Sequence, residues 1–181
     1  MKLVIIRHSE TNKAANLPGE PDALSPAGHA QVESLIKVCS TENVEAVFHS
    51  TQSRTFSTAE ALALALNVPS IEQTGLEERS FGDWDEWEWP QIAAELGKLT
   101  TEERYAFVPP NGESWQQMEA RLSTALREIA AKQYKSVAIV THWGSIRALL
   151  PIVKDEPKES TLDLSVEYGQ AFVVDYRGGA E

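Results

Sequence analysis

Three short apolar runs end in groups that can handle an anion. Leu3-Val4-Ile5-Ile6 leads into Arg7-His8-Ser9-Glu10-Thr11, and Val44 to Phe48 leads into His49-Ser50, with Arg54 one helical turn on. Val137 to Val140 leads into Thr141-His142. A neutral imidazole is a nucleophile, and its two ring nitrogens take separate roles. A guanidinium offers a planar fork of N–H donors that matches phosphoryl oxygens. If the three run ends meet, Arg7, Arg54, His8 and His142 face one point. Their joint charge suits a phosphoryl group, with His8 a candidate nucleophile. His49 reads as a strand-end residue and His29 as a solvated helix residue.

A parallel sheet would bring these ends together. The runs are short and rich in strand-favouring residues, as strands buried on both faces are. Open α/β sheets gather ligands at the C-terminal ends of such strands. Between the strands lie helical signals. Ser25-Pro26 opens a helix with an N-cap and a first-turn proline, and Val32, Leu35, Ile36 and Cys39 give it one buried stripe. Thr51 to Leu66 reads as a second helix, ended by Asn67-Val68-Pro69, and Pro69 to Gln73 as a short strand. Glu113 to Gln133 carries a core stripe of Trp115, Met118, Leu122, Ala125 and Ile129. A further helix follows Gly144 and is bent or ended by Pro151. Leu162 to Tyr168 alternates in polarity, and Gly169-Gln170 would turn it into Ala171 to Tyr176 as a C-terminal hairpin.

Gly75 to Gly112 is less regular. Trp84, Trp87 and Trp89 stand among Asp83, Asp85, Glu86 and Glu88, and two short helices are expected at Pro90 to Leu99 and Thr101 to Phe107. The expected architecture is α/β: a three-layer α/β/α sandwich with a mostly parallel central sheet and an inserted lid region. We expect one domain over residues 1–181 with its insertion at about 75–112. Neither glycine-rich phosphate loop, GxGxxG or GxxxxGK[ST], is present.

Composition narrows the function classes. A net charge of −11 opposes nucleic acid and anionic membrane as partners, since those surfaces need a positive field. An anionic substrate would therefore be held by local contacts; at a screening length of about 8 Å distant carboxylates matter little. The single Cys39 excludes an internal disulfide and suits a reducing compartment. The first residues lack a signal pattern and no run approaches a membrane span, so a cytoplasmic protein is expected.

These motifs together resemble the histidine phosphatase superfamily in its phosphoglycerate-mutase-like branch. Six blocks occur in order: Arg7 to Thr11, Leu24 to Gln31, Ser50 through Arg54 to Ala59, Leu76 to Trp84, Pro110 to Ser114, and Thr141 to Arg147. The resemblance implies that His8 attacks phosphorus, with a backbone carbonyl orienting its other ring nitrogen. It implies that Arg7, Arg54 and His142 hold the phosphoryl oxygens. It also implies that Glu78, rather than Glu77, protonates the leaving oxygen and then activates water. Ser9 replaces the usual glycine and is a candidate phosphate contact. Ala14 stands where many members carry a phosphate-contacting Asn, so Asn12 or Asn16 is the candidate substitute. Glu86 replaces a glycine and Trp143 a small residue. For Glu113 a role at a helix N-terminus competes with one in the site.

The expected activity is metal-independent hydrolysis of a small phosphorylated metabolite through a phosphohistidine on His8, with no cofactor or metal. The alternatives are a phosphoglycerate-type mutase and a phosphate-binding regulatory domain without turnover. A mutase calls for extra cations, and between Ser80 and Glu113 only Lys98 and Arg104 are basic. The sequence leaves substrate and oligomeric state open.

Overall fold

The computed structural model describes residues 1–161 and 163–178. Its centre is a five-stranded sheet ordered β3-β2-β4-β1-β5: β1 (Lys2–Arg7), β2 (Ala46–His49), β3 (Ser70–Glu72), β4 (Ser136–Thr141) and β5 (Ala171–Asp175). Four strands run parallel, and β5 is antiparallel to β1. Helices α1 (Pro26–Thr41), α2 (Ser53–Leu66), α5 (Trp115–Ala131) and α6 (Trp143–Lys154) cover the faces, while α3 (Trp89–Leu96) and α4 (Thr101–Ala106) belong to the inserted segment.

The period-two geometry of strands sorts the core into two sides. Leu3, Ile5, Phe48 and Ile139 point to Met118, Leu122 and Ile129 of α5 and to Ile146 and Leu149 of α6. Val4, Ile6, Val47 and Val140 point to Val32, Leu35 and Cys39 of α1 and to Ala59 and Leu62 of α2. Both faces are thus buried, which is why the strands read as unbroken apolar runs. The three-layer expectation holds, with strand and helix ends shifted by a few residues.

Two readings change. Residues 163–168 form no strand, so there is no C-terminal hairpin; Leu162 lies outside the described residues. β5 instead takes the free edge of β1. The alternation before it serves other ends: Val166 is buried in the core and Tyr168 covers Arg7. Pro151 lies inside α6 rather than ending it. Proline cannot supply the N–H that would bond the carbonyl four residues back. That carbonyl, on Arg147, accepts the Thr161 hydroxyl instead, at 2.6 Å.

Candidate active site

The β1–β4 register pairs Arg7 with Thr141, and the His8 N–H continues it by donating to Thr141 O at 2.9 Å. This sets His8 beside His142, with ring centroids 5.5 Å apart. His8 is buried, and its Nδ1 lies 3.0 Å from Ser9 O. A carbonyl only accepts, so Nδ1 carries the hydrogen and Nε2 keeps its lone pair. Burial foremost lowers the His8 pKa from 6.5 to about 4; Arg54 and Arg7 push the same way, against the Ser9 hydrogen bond. The imidazole is therefore neutral at pH 7.

His142 is the N-cap of α6, in extended backbone. Arg54 Nε donates to its Nδ1 at 3.2 Å, and its Nε2 meets Ser50 Oγ at 2.8 Å. The neutral tautomer consistent with this places the hydrogen on Nε2. Burial, then the positive charge of Arg54, holds His142 well below its ordinary value. Ser50 follows β2 and Arg54 lies in the first turn of α2, so the third strand end joins the other two. The second histidine of that region, His49, bonds Ser50 O through Nδ1 and packs on Phe56.

Arg7 is held by an element that sequence reading did not assign to the site. Its Cζ lies 3.7 Å from the Tyr168 ring centroid, Nη1 donates to Val166 O, and His8 packs 5.4 Å from the same ring. Arg7 Nε and Ser9 Oγ are both buried without a hydrogen-bond partner among the described residues. Buried polar groups in that state are costly, and an entering oxyanion is one way to satisfy them. The Ser9 N–H is occupied, donating to Thr58 Oγ1 at 2.9 Å. Asn12 donates within its own loop, to Glu20 O, and Asn16 is exposed with φ 53°.

The loop carrying Glu78 is fixed through its carbonyls. Arg121 Nη1 donates to Gly75 O and Glu77 O, and Nη2 to Glu78 O; Thr141 Oγ1 takes Leu76 O and Ser145 Oγ takes Glu77 O. Glu113 pairs with Arg121 and accepts from Ser80 N, so it positions this loop rather than a helix end. The Glu78 carboxylate then rests on the first turn of α6. Oε2 accepts from Gly144 N at 2.9 Å, and Oε1 from Ser145 N at 3.2 Å and Arg79 N at 2.9 Å. A Cβ on Gly144 would lie 2.5 Å from Glu78 Oε1, which explains the glycine. Glu77 turns away, to Gly75 N and Thr51.

The block from Leu24 to Gln31 is scaffolding. Ser25 caps α1, with Gly28 N donating to its Oγ, and its hydroxyl bonds Glu10. A Cβ on Gly28 would meet Glu10 O at 2.1 Å, and Glu10 N donates to Gln31 Oε1. These contacts hold the chain just after His8.

A cavity of about 790 Å³ has Arg7 and Glu78 in its wall and reaches Trp143 and Gly144, the residues after His142; neither His8 nor His142 lines it. The inserted segment closes it through Phe81, Trp89, Leu96 and Tyr105, and Trp143 faces Trp89 across it at 6.0 Å. Trp84 and Trp87 stack on each other instead, 5.0 Å apart. The cavity thus meets the inserted lid on one side and Glu78 on the other, where a leaving group could sit.

The chain is similar to known proteins in sequence and fold. The sequence profile of the histidine phosphatase superfamily (branch 1) matches residues 3–181. A metal-independent phosphoserine phosphatase of Arabidopsis thaliana is 29% identical over 158 residues, covering 82% of this chain and 66% of its own length. A 2,3-bisphosphoglycerate-dependent phosphoglycerate mutase of Cytophaga hutchinsonii is 30% identical over 162 residues, covering 82% of this chain and 75% of its own. Other relatives are much longer, and the chain spans 34% of one of them. The crystal structure of the alpha-ribazole phosphatase from Shigella flexneri superposes with a TM-score of 0.77 at 25% identity, covering 97% of this chain and 90% of that one.

Proposed function

The chain belongs to the histidine phosphatase superfamily, branch 1, and from that premise we propose that it hydrolyses a small phosphomonoester through a phosphohistidine on His8, without a metal. The observation that carries this reading is the state of His8. It is buried and neutral, with Nδ1 spent on Ser9 O and the Nε2 lone pair left to attack. Phosphorus is attacked in line and the alkoxide leaves. Water then attacks the phosphohistidine, returning His8 to its neutral form and releasing inorganic phosphate.

Arg7 and Arg54 bracket the two imidazoles and neutralise the equatorial oxygens, the task a metal cation performs elsewhere. His142 faces the same oxygens. Burial first, and then the positive charge of Arg54, holds it neutral, and an arriving dianion offsets the second of these, so it can donate a hydrogen bond. Ser9 Oγ and Arg7 Nε, both without partners, are further donors to the phosphoryl group. Asn12 stays outside this set unless its loop turns. Glu78 lines the leaving-group cavity and is the group to pass a proton to the departing oxygen and take one from water. A reducing cytoplasm suits the single buried Cys39, and among the described residues no helix is long and apolar enough to cross a membrane.

Release of phosphate from an aryl phosphate in excess chelator tests the reading. Full activity surviving His8→Ala, or activity that vanishes with the chelator, would sink it. A mutase is the second reading, favoured by the Cytophaga relative. Isomerisation of phosphoglycerate without net phosphate release would establish it instead.

A further inference from the structure

One segment wraps the Arg7–His8 pair from the β5 side, and the proposed reaction assigns it no role. Val166 is its anchor, 1% exposed in the core. Beyond it the chain turns over residues 167–170. Gln170 N closes the turn by donating to Glu167 O at 3.1 Å, and Glu167 N donates to Gln170 Oε1 at 2.8 Å. The turn grips the backbone of the pair. Gly169 N donates to Arg7 O and His8 O at 3.2 and 3.3 Å, and Arg7 N donates to Gln170 O at 3.0 Å. Tyr168 stands within the turn. Its ring centroid lies 3.7 Å from Arg7 Cζ and 5.4 Å from the His8 ring centroid. One side chain therefore packs on the phosphate-binding guanidinium and on the proposed nucleophile together.

The way Arg7 is held leaves it able to bind. A carboxylate partner would fix the guanidinium but spend its charge and its N–H edge. Among the described residues Arg7 forms no ion pair. It is held instead by a ring face, which restrains the plane of the fork and uses no N–H donor. One N–H goes to Val166 O, and Nε is buried without a partner among the described residues. The fork thus keeps its charge and most of its donors for an oxyanion. The second contact of Tyr168 closes the flank of His8, which is 6% exposed. A side chain that keeps water from this flank keeps the imidazole unprotonated. We propose that Tyr168 is a positioning residue for phosphoryl transfer: it sets the plane of Arg7 and shields the His8 ring, acting through these two side chains rather than on the substrate. This rests on the phosphatase reading above.

The test compares Tyr168→Phe, Tyr168→Leu and Tyr168→Met with the wild-type enzyme. Phe keeps the ring, whereas Leu and Met leave an apolar side chain without it. The turn's own hydrogen bonds come from the backbone and Gln170, so the segment does not need the phenol to fold. Two readouts are taken: the pH dependence of kcat/KM with p-nitrophenyl phosphate, and the titration of the His8 ring by NMR in the free protein, assigned through His8→Asn. The charged and titratable groups around that ring are Arg7, Arg54, Asp22, His142 and Tyr168, and only the last is changed. Phe should match the wild type within about twofold. Leu and Met should lower kcat/KM roughly tenfold or more, because the plane of Arg7 is released. They should also raise the acid limb and the His8 titration from about 4 towards 6.5, as water reaches the ring. A merely structural tyrosine would lower the amount of folded enzyme and leave both pH readouts in place. Three results would overturn the inference while the phosphatase reading stands: kcat/KM within about twofold in Leu and Met, a loss with both pH readouts unmoved, or a loss as large in Phe as in Leu. No phosphate release by the wild-type enzyme would defeat the phosphatase reading itself, and the positioning role with it.

Discussion

At the scale of single residues, His8 owes its proposed role to burial and one hydrogen bond. Its pKa of about 4 means that proton competition for Nε2 begins only in acid. Once the ester's own ionisation is factored out, the acid limb of kcat/KM should fall near pH 4 to 5 rather than at the roughly 6.5 of a free imidazole. A pH–rate profile with the aryl ester measures this, and a limb at 6.5 would mean His8 is solvated. Ser9 makes a sharper case. Its hydroxyl is buried and unpartnered, so Ser9→Ala should stabilise the free protein by about 1 kcal/mol. If the hydroxyl is completed by the phosphoryl group, KM should rise several-fold in the same variant. Melting curves and steady-state kinetics on one preparation check both halves. The meeting of Arg7, His8, Arg54 and His142 could be read from the sequence because Arg7, His8 and His142 follow apolar runs and Arg54 stands one helical turn beyond a third. Tyr168 could not, since its partner Arg7 lies on the other side of an antiparallel pairing that no local pattern encodes. Arg121 was hidden for a related reason: one polar residue on an amphipathic helix looks solvated until the loop it ties is known.

At the scale of elements, α6 performs two tasks at its first turn. His142 caps it, and Gly144 and Ser145 present N–H groups to the Glu78 carboxylate. Gly144 permits the approach through lack of a side chain, not through an unusual backbone angle. Gly144→Ala should force Glu78 aside, and a displacement of about 1 Å at a reacting group can cost about a hundredfold in rate. The expected outcome is a fall in kcat of that order with the far-ultraviolet dichroism and melting point little changed. Unchanged kcat would show that Glu78 does not act from this position. The sheet's central strands and flanking helices followed from periodicity and caps, such as Ser25-Pro26 before α1. The C-terminal segment was misread because its alternation served the core and Arg7 separately rather than a strand partner. Of the two readings of Pro151, bending or ending α6, the second falls, because the hydroxyl that replaces its missing bond comes from Thr161, beyond the helix.

At the scale of the whole molecule, charge is distributed against the trend. The chain has 16 Lys and Arg to 27 Asp and Glu, yet Arg7, Arg79, Arg104, Arg147 and Lys158 all line one cavity. Holding two histidines neutral, by burial first and by Arg54 and Arg7 after it, has a consequence for stability. The unfolded chain takes up protons near pH 6.5, whereas the folded chain refuses one at His8 down to about 4 and another at His142 well below 6.5. Folding stability from these groups is therefore complete above pH 6.5 and declines as pH falls towards 4. Melting temperature against pH should show that slope, and His8→Asn should flatten part of it; an unchanged slope would mean that His8 titrates as in a free chain. The central claim concerns covalent chemistry, and the most direct measurement is to quench turnover in base and map the phosphoryl group by peptide fragmentation. The account predicts an acid-labile phosphoryl group on His8 that is absent from His8→Ala. Sustained phosphate release with His8 unmodified, or with the label on another residue, would contradict it.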